Sequence, residues 1–278
     1  MTGGLDAGRD PRLVRLLDGG SLAAGSPAGG SLAAGSLAAG SPVGGSRPAL
    51  VVVDVQRDFG EPARIAPYGL DDRASVAVDA AVTRIGSLVD EARAAGVPVV
   101  WVELGSDPAR PWRSSTWLRG GDPAGPMPDD EPCRIGTEGA EWYRTAPAPG
   151  ETRVVKRGYS GFLGTDLEAR LTAAGIGWVT VVGLTTECCV LATAQDAMQL
   201  GWPVVVPQDA TAAYDTDVHD AALTLIDLNV GVVTDADETV ALWRAAADAA
   251  ASAADAAASA SAPGSASASA SASPVGAR

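Results

Sequence analysis

Across 278 residues the chain holds one histidine, His219, and one lysine, Lys156. A single histidine excludes a catalytic zinc held by two or three imidazoles. Cysteine is scarce too: Cys133, Cys188 and Cys189 are the three present, without the close paired spacings of a structural zinc site. Two of them are neighbours, and a bridge between adjacent residues is badly strained. No disulfide framework is therefore expected, and free thiols fit a reducing compartment. No run of about 18 apolar residues occurs, so no transmembrane helix is expected. The first twenty residues (MTGGLDAGRDPRLVRLLDGG) lack an apolar core and carry acids, which argues against a secretory signal and for a cytoplasmic protein. Basic charge is also short. The net charge is −14, and the flanks outside residues 48–244 carry five charges of each sign, so the excess lies wholly on the central segment. That argues against nucleic acid or an anionic membrane as a partner and leaves a small molecule.

Nineteen arginines stand against the one lysine. Ordinary surface ion pairs are indifferent to that choice, so Lys156 marks a candidate position where a compact ammonium is needed rather than a planar guanidinium.

Residues 19–46 repeat GSLAAGS and GSPAGGS units and lack the large side chains that would offset the entropy of ordering. Residues 1–47 are accordingly expected to be a disordered tail. So is the Ala/Ser-rich stretch 246–278, although its Ala-rich start is suited to prolonging a helix by a turn or two. Between them, 48–245 forms one domain. Its pattern alternates. Near-uniform apolar runs at 49–54, 98–103, 152–156, 178–183, 203–207 and 230–234 read as strands buried on both faces. Helices are expected around 75–94, from a Thr165/Glu168 capping box to Ala174, over 187–200 and over 216–228. Such alternation predicts an α/β fold: three α/β/α layers around a mostly parallel central sheet. The Pro/Gly/Trp-rich segment 104–150 is too long for a plain connector and is a candidate lid or pocket wall.

Ligands of open parallel sheets sit beyond the carboxyl ends of the strands. Asp54 ends the first strand, Lys156 ends the third, and Cys189 follows the fourth where GLTTECC turns into a helix. Alone, Asp54 reads equally well as a turn cap and Cys189 as an inert buried thiol. Together they bring a carboxylate, an ammonium and a thiol to one sheet edge, the equipment of a cysteine hydrolase. A thiol at a helix start beside a cation is expected to shift toward thiolate, and a carboxylate can carry its proton to a leaving amine. The backbone N–H groups of Thr185 and Cys189 are candidate donors to an oxyanion. Phe59, Tyr159 and Phe162 are candidate pocket residues. Glu187 reads as a helix-start acid and His219 as structural or exposed.

DVQRDF (54–59), KRGYSGF (156–162) and GLTTECCVLATAQDA (183–197) resemble the signature segments of the isochorismatase-like cysteine hydrolases, a set that includes nicotinamidases and the N-carbamoylsarcosine, ureidoacrylate and biuret amidohydrolases. The resemblance spans 48–244. It implies the isochorismatase-like fold, a triad of Asp54, Lys156 and Cys189, a cis peptide at Leu184–Thr185 and a homo-oligomer. After the second strand WVELGSDPARPW offers Asp107 but no histidine, which departs from the metal-dependent nicotinamidases and implies a metal-free amidohydrolase without cofactor. Its substrate would be a small amide or a carbamoyl or ureido compound, cleaved at a C–N bond through a thioester. An isochorismatase-type vinyl-ether hydrolase, a nicotinamidase and an inactive binding module remain alternatives. The two adjacent thiols are expected to diverge, Cys189 facing the strand ends and Cys188 turned into the packing behind the helix.

Overall fold

The computed structural model describes residues 10–17 and 47–261. Seven strands, β1 (Arg47–Val53), β2 (Val99–Leu104), β3 (Thr152–Lys156), β4 (Ile176–Leu184), β5 (Val204–Pro207), β6 (Thr211–Ala212) and β7 (Val232–Thr234), form one sheet. The order is β3-β2-β1-β4-β5-β7, with β6 beside the end of β4, and every pairing is parallel. Helices α1 (Pro11–Leu17), α2 (Arg57–Gly60), α3 (Pro62–Ile65), α4 (Asp72–Ala94), α5 (Arg113–Leu118), α6 (Leu167–Ala173), α7 (Leu191–Gln199), α8 (Thr216–Asn229) and α9 (Ala236–Ser261) complete the described chain.

Strand side chains alternate between faces, so each buried strand feeds two cores. Leu50 and Val52 of β1 join Trp101, Trp178 and Val182 under α1, α4 and α9. Ala49, Val51 and Val53 join Val100, Val179 and Val181 under α6, α7 and α8. The result is the expected three-layer α/β/α arrangement. Within β4 the one polar residue of the WVTVVG run, Thr180, is fully buried and accepts the Trp243 indole N–H from α9 at 3.1 Å, so its polarity is satisfied. The N-terminal turn of α4 is capped by Asp71, whose carboxylate accepts the Ala74 amide at 2.7 Å.

The chain runs β1 to β2 to β3 in one direction and places β4 on the other side of β1. The β1/β4 boundary is therefore the topological switch point, where a crevice opens at the carboxyl ends. Gly183 makes the closest approach there. A Cβ at this residue would lie 1.9 Å from the Val53 carbonyl oxygen, and its φ of +131° suits glycine alone.

Three expectations are corrected. The structureless tail 1–47 does not hold over residues 11–17: α1 seats Leu13 and Leu16, one helical turn apart, in the core beside α9. Arg12 ties that helix to the last turn of α8, donating to the Asp227 carbonyl at 2.8 Å and to its carboxylate at 2.7 Å. At the other end α9 runs through Ser261, well past 245 and beyond a turn or two, because alanine is the best helix former and Ala246 is still buried. The rest of both tails lies outside the described residues. Finally, the Thr165/Glu168 capping box does not form. The Thr165 hydroxyl donates to the Gly161 carbonyl at 2.6 Å and accepts the Leu167 amide at 3.3 Å, serving the preceding turn instead.

Candidate active site

Asp54, Lys156 and Cys189 converge at the switch point from three separate strands. Lys156 Nζ lies 2.7 Å from Asp54 Oδ2, donates toward Cys189 Sγ at 3.3 Å and donates to the Gly158 carbonyl at 2.8 Å. Both charged side chains are completely buried, and the thiol nearly so. Asp54 sits at φ +52°, a left-handed conformation costly for a residue with a side chain, held by its amide bond to the Val102 carbonyl at 2.8 Å. Such strain in a non-glycine residue concentrates where chemistry needs it.

Burial pushes the Asp54 carboxyl above the usual carboxylate range, and the Lys156 charge only partly offsets this. Burial also works against the Lys156 charge, but the adjoining Asp54 carboxylate and Cys189 outweigh it, and the ammonium is held past its ordinary range. The Cys189 thiol corrects the expectation of a lowered pKa. Its contact with the Cys188 thiol, then burial and the Asp54 charge, raise it well above the ordinary cysteine value despite Lys156. These surroundings favour the neutral thiol over the thiolate.

Behind the Cys189 turn the peptide Leu184–Thr185 is cis, as the family resemblance implies. The segment Thr186–Val190 is a π-type turn, with the Val190 amide bonded five residues back to the Thr185 carbonyl at 3.2 Å. That looser winding brings neighbouring side chains closer round the axis than an α-helix does. Consequently Cys188, although packed against the second core as expected, does not turn wholly away from the site. It lines the same cavity as Cys189, with the two sulfurs 3.9 Å apart. The Thr185 hydroxyl donates to Glu187 Oε1 at 2.9 Å, and the Thr186 hydroxyl is shared between Thr211 and His219 Nδ1, each at 2.8 Å. His219 is thus a structural partner of the turn, its pKa lowered by burial.

A cavity of about 160 Å³ opens over the two thiols. Phe59 and Tyr159 line it, together with Tyr68, Trp112 and Tyr214, which sequence reasoning did not single out. Tyr68 stacks on Tyr214 with centroids 5.0 Å apart, and Trp112 meets Tyr159 edge-on at 4.8 Å. Phe162 is not part of this wall. It is buried in the second core and stacks on Trp202 at 5.9 Å, because the neighbouring Gly161 amide is pinned to Thr193 of α7 at 3.0 Å.

The segment 104–150 supplies the outer wall, including α5, Arg119 and Glu131. Gln56 anchors it: the buried amide donates to the Leu104 and Ala140 carbonyls at 3.0 and 2.9 Å and accepts the Leu104 amide at 2.8 Å. The middle polar residue of DVQRDF was the signal for that anchor. Asp107 is occupied with its own turn, accepting the Ala109 amide at 2.9 Å and pairing with Arg110 at 3.0 Å. Among the described residues no three His, Cys, Asp or Glu side chains group so as to hold a metal ion, and no helix is long and apolar enough to cross a membrane.

Comparison with known proteins shows the family. Residues 48–238 match the family described as the isochorismatase domain. The chain is 31% identical over 206 residues to a ureidoacrylate amidohydrolase from Methylobacterium radiotolerans, covering 67% of this chain and 75% of that one. It is 30% identical over 192 residues to a maleamate amidohydrolase from Pseudomonas putida, covering 69% and 84%. Among solved structures, a cysteine hydrolase from Pseudomonas syringae pv. phaseolicola superposes with a TM-score of 0.62 at 26% identity, covering 72% of this chain and 93% of that one.

Proposed function

From the premise that this chain belongs to the isochorismatase family of hydrolases, we propose that it hydrolyses the C–N bond of a small amide, carbamoyl or ureido compound through a thioester on Cys189. The observation that carries this reading is the buried contact set of Lys156 with Asp54 and Cys189. The amidohydrolase names of its relatives support the bond type.

In the proposed mechanism the Asp54 carboxylate accepts the Cys189 Sγ proton as sulfur attacks the carbonyl carbon. A neutral thiol needs such a base, and a carboxyl raised by burial is a better one than an exposed aspartate. The oxygen gathers negative charge and is received by the Thr185 and Cys189 amides. Asp54 then returns the proton to the nitrogen, the C–N bond breaks and the amine departs. Water next gives a proton to Asp54 while its oxygen attacks the thioester. The C–S bond breaks, the acid leaves and the proton returns to sulfur. Lys156 keeps the carboxylate oriented and offsets its charge, and its ammonium beside Sγ favours the transient thiolate. The inner cavity is small and its wall largely aromatic, which favours a compact substrate.

Ammonia or amine release from a panel of primary amides and ureido acids tests the reading, with mass spectrometry of the quenched enzyme for an acyl group on Cys189. Amide turnover that survives Cys189→Ala overturns the thioester. Absence of turnover across the panel, with ligands still protecting Cys189 from alkylation, favours the binding module.

A further inference from the structure

We propose that Cys188 and Cys189 form a dithiol site for a trivalent arsenical carrying one small aromatic group, each sulfur taking one arsenic valence. The site stands on the two thiols alone. Its consequence, loss of turnover while the arsenical is bound, rests on the amidohydrolase reading above. No step of that mechanism uses Cys188.

The two sulfurs are 3.9 Å apart and both line the cavity of about 160 Å³. The π-type winding of Thr186–Val190 holds them on one side of the turn. A direct disulfide would need the sulfurs to close to about 2 Å between adjacent residues, where the geometry is strained. One arsenic atom inserted between them lengthens the bridge and leaves the sulfurs apart. Arsenic(III) is a soft acceptor, and sulfur is the soft ligand among protein side chains. The walls suit the organic group. Tyr68, Trp112, Tyr159 and Tyr214 face the same space. An apolar cavity of about 150 Å³ admits benzene, so a single phenyl ring is of a size to enter. The Tyr159 phenol contacts the Cys188 thiol, so a ring carried on arsenic starts beside the Trp112–Tyr159 pair.

The step is an exchange without redox. With phenylarsine oxide, PhAs=O, each thiol gives its proton to the arsenic-bound oxygen. Two As–S bonds form, the bond order between arsenic and oxygen is lost, and one water leaves while arsenic stays trivalent. The net reaction consumes thiols rather than thiolates, so the raised Cys189 pKa does not oppose it. Asp54 accepts a hydrogen bond from Cys189 and is placed to carry its proton. Cys133 serves as the internal control. It is fully buried, its sulfur lies 3.9 Å from the Gly139 carbonyl, and it does not line the cavity.

Phenylarsine oxide is the probe, added in one equivalent to the full-length protein. By intact mass the wild-type protein should gain one phenylarsine oxide less one water. After unfolding, iodoacetamide should then label Cys133 alone. The adduct should survive excess 2-mercaptoethanol and be released by 2,3-dimercaptopropanol. Cys188→Ser and Cys189→Ser each leave one thiol of the pair. Their half-maximal uptake against 2-mercaptoethanol should need at least about 100-fold more arsenical, the advantage of two linked contacts over one. A wild-type adduct that the monothiol strips as easily as it does those of the variants overturns the site. So does protection that includes Cys133 or omits Cys188, and so does absence of uptake. The labelling pattern of the wild-type protein needs no variant, so a variant that fails to fold does not spare the proposal. Amide turnover should vanish with uptake and return with the dithiol. Uptake at both thiols with turnover undiminished keeps the site and overturns the catalytic role of Cys189 instead.

Discussion

The two sides of the inner cavity are built on different principles. Its floor is Cys189, backed by Asp54 and Lys156, each delivered by the end of a parallel strand or the turn that follows, the two charged groups completely buried, the thiol nearly so, and spaced by direct contacts of 2.7 and 3.3 Å. Its outer wall consists of loop and short-helix residues between 104 and 150, half-exposed and held by ion pairs and by the Gln56 anchor. A floor on strand ends is rigid because the whole sheet must move for it to move. A wall on a loop can change without disturbing the cores. On the proposed mechanism, reaction type is therefore a property of the floor, and substrate choice a property of the wall.

The most severe way to break that division is at the floor. Cys189→Ala should lower kcat by at least about 10⁴-fold, as removal of a nucleophile does, while Cys188→Ala should stay within about tenfold because Cys188 only lines the cavity. Steady-state kinetics of the two variants, which share one turn, measures the contrast directly. Lys156→Met should cost about 3–5 kcal/mol in urea unfolding, since it strands a buried carboxylate, and Asp54→Asn/Lys156→Met should recover part of that loss. If Lys156→Met leaves stability unchanged, the pair is not held in the sealed state described.

Two aromatic residues of one segment sharpen the comparison at intermediate size. Phe162→Ala should cost about 3–5 kcal/mol, because the ring is core, whereas Tyr159→Ala should cost little stability and raise KM. Reversed outcomes would place Phe162 in the wall. A pH profile adds a smaller effect. Asp54 must be ionised to accept the thiol proton, and burial raises its pKa, so kcat/KM should fall as pH drops through a value above the ordinary aspartate range. Lys156 is held charged past its ordinary range and should set no alkaline limb near neutrality. The mildest test lies far from both regions: deleting residues 1–17 should cost about 1–3 kcal/mol from the loss of buried Leu13 and Leu16, with kcat unchanged.

The sequence by itself determined the layers, the parallel sheet and the positions of Asp54, Lys156 and Cys189, since apolar runs punctuated by one polar residue are local patterns and parallel strands all deliver their ends to one edge. The cavity residues Tyr68, Trp112, Arg119 and Tyr214 could not be found that way. They come from three separate segments, Trp112 and Arg119 flanking α5, and only the packing of the 104–150 wall and the two-residue strand β6 brings them together. Phe162 and Tyr159 are three residues apart in one motif, yet they divide between core and cavity because Gly161 is pinned to Thr193. Cys188 likewise joins Cys189 over the cavity only because the turn winds with i to i+5 bonds. The raised Cys189 pKa follows from the Cys188 thiol, from burial and from the Asp54 carboxylate, surroundings that do not exist until the chain has closed around them.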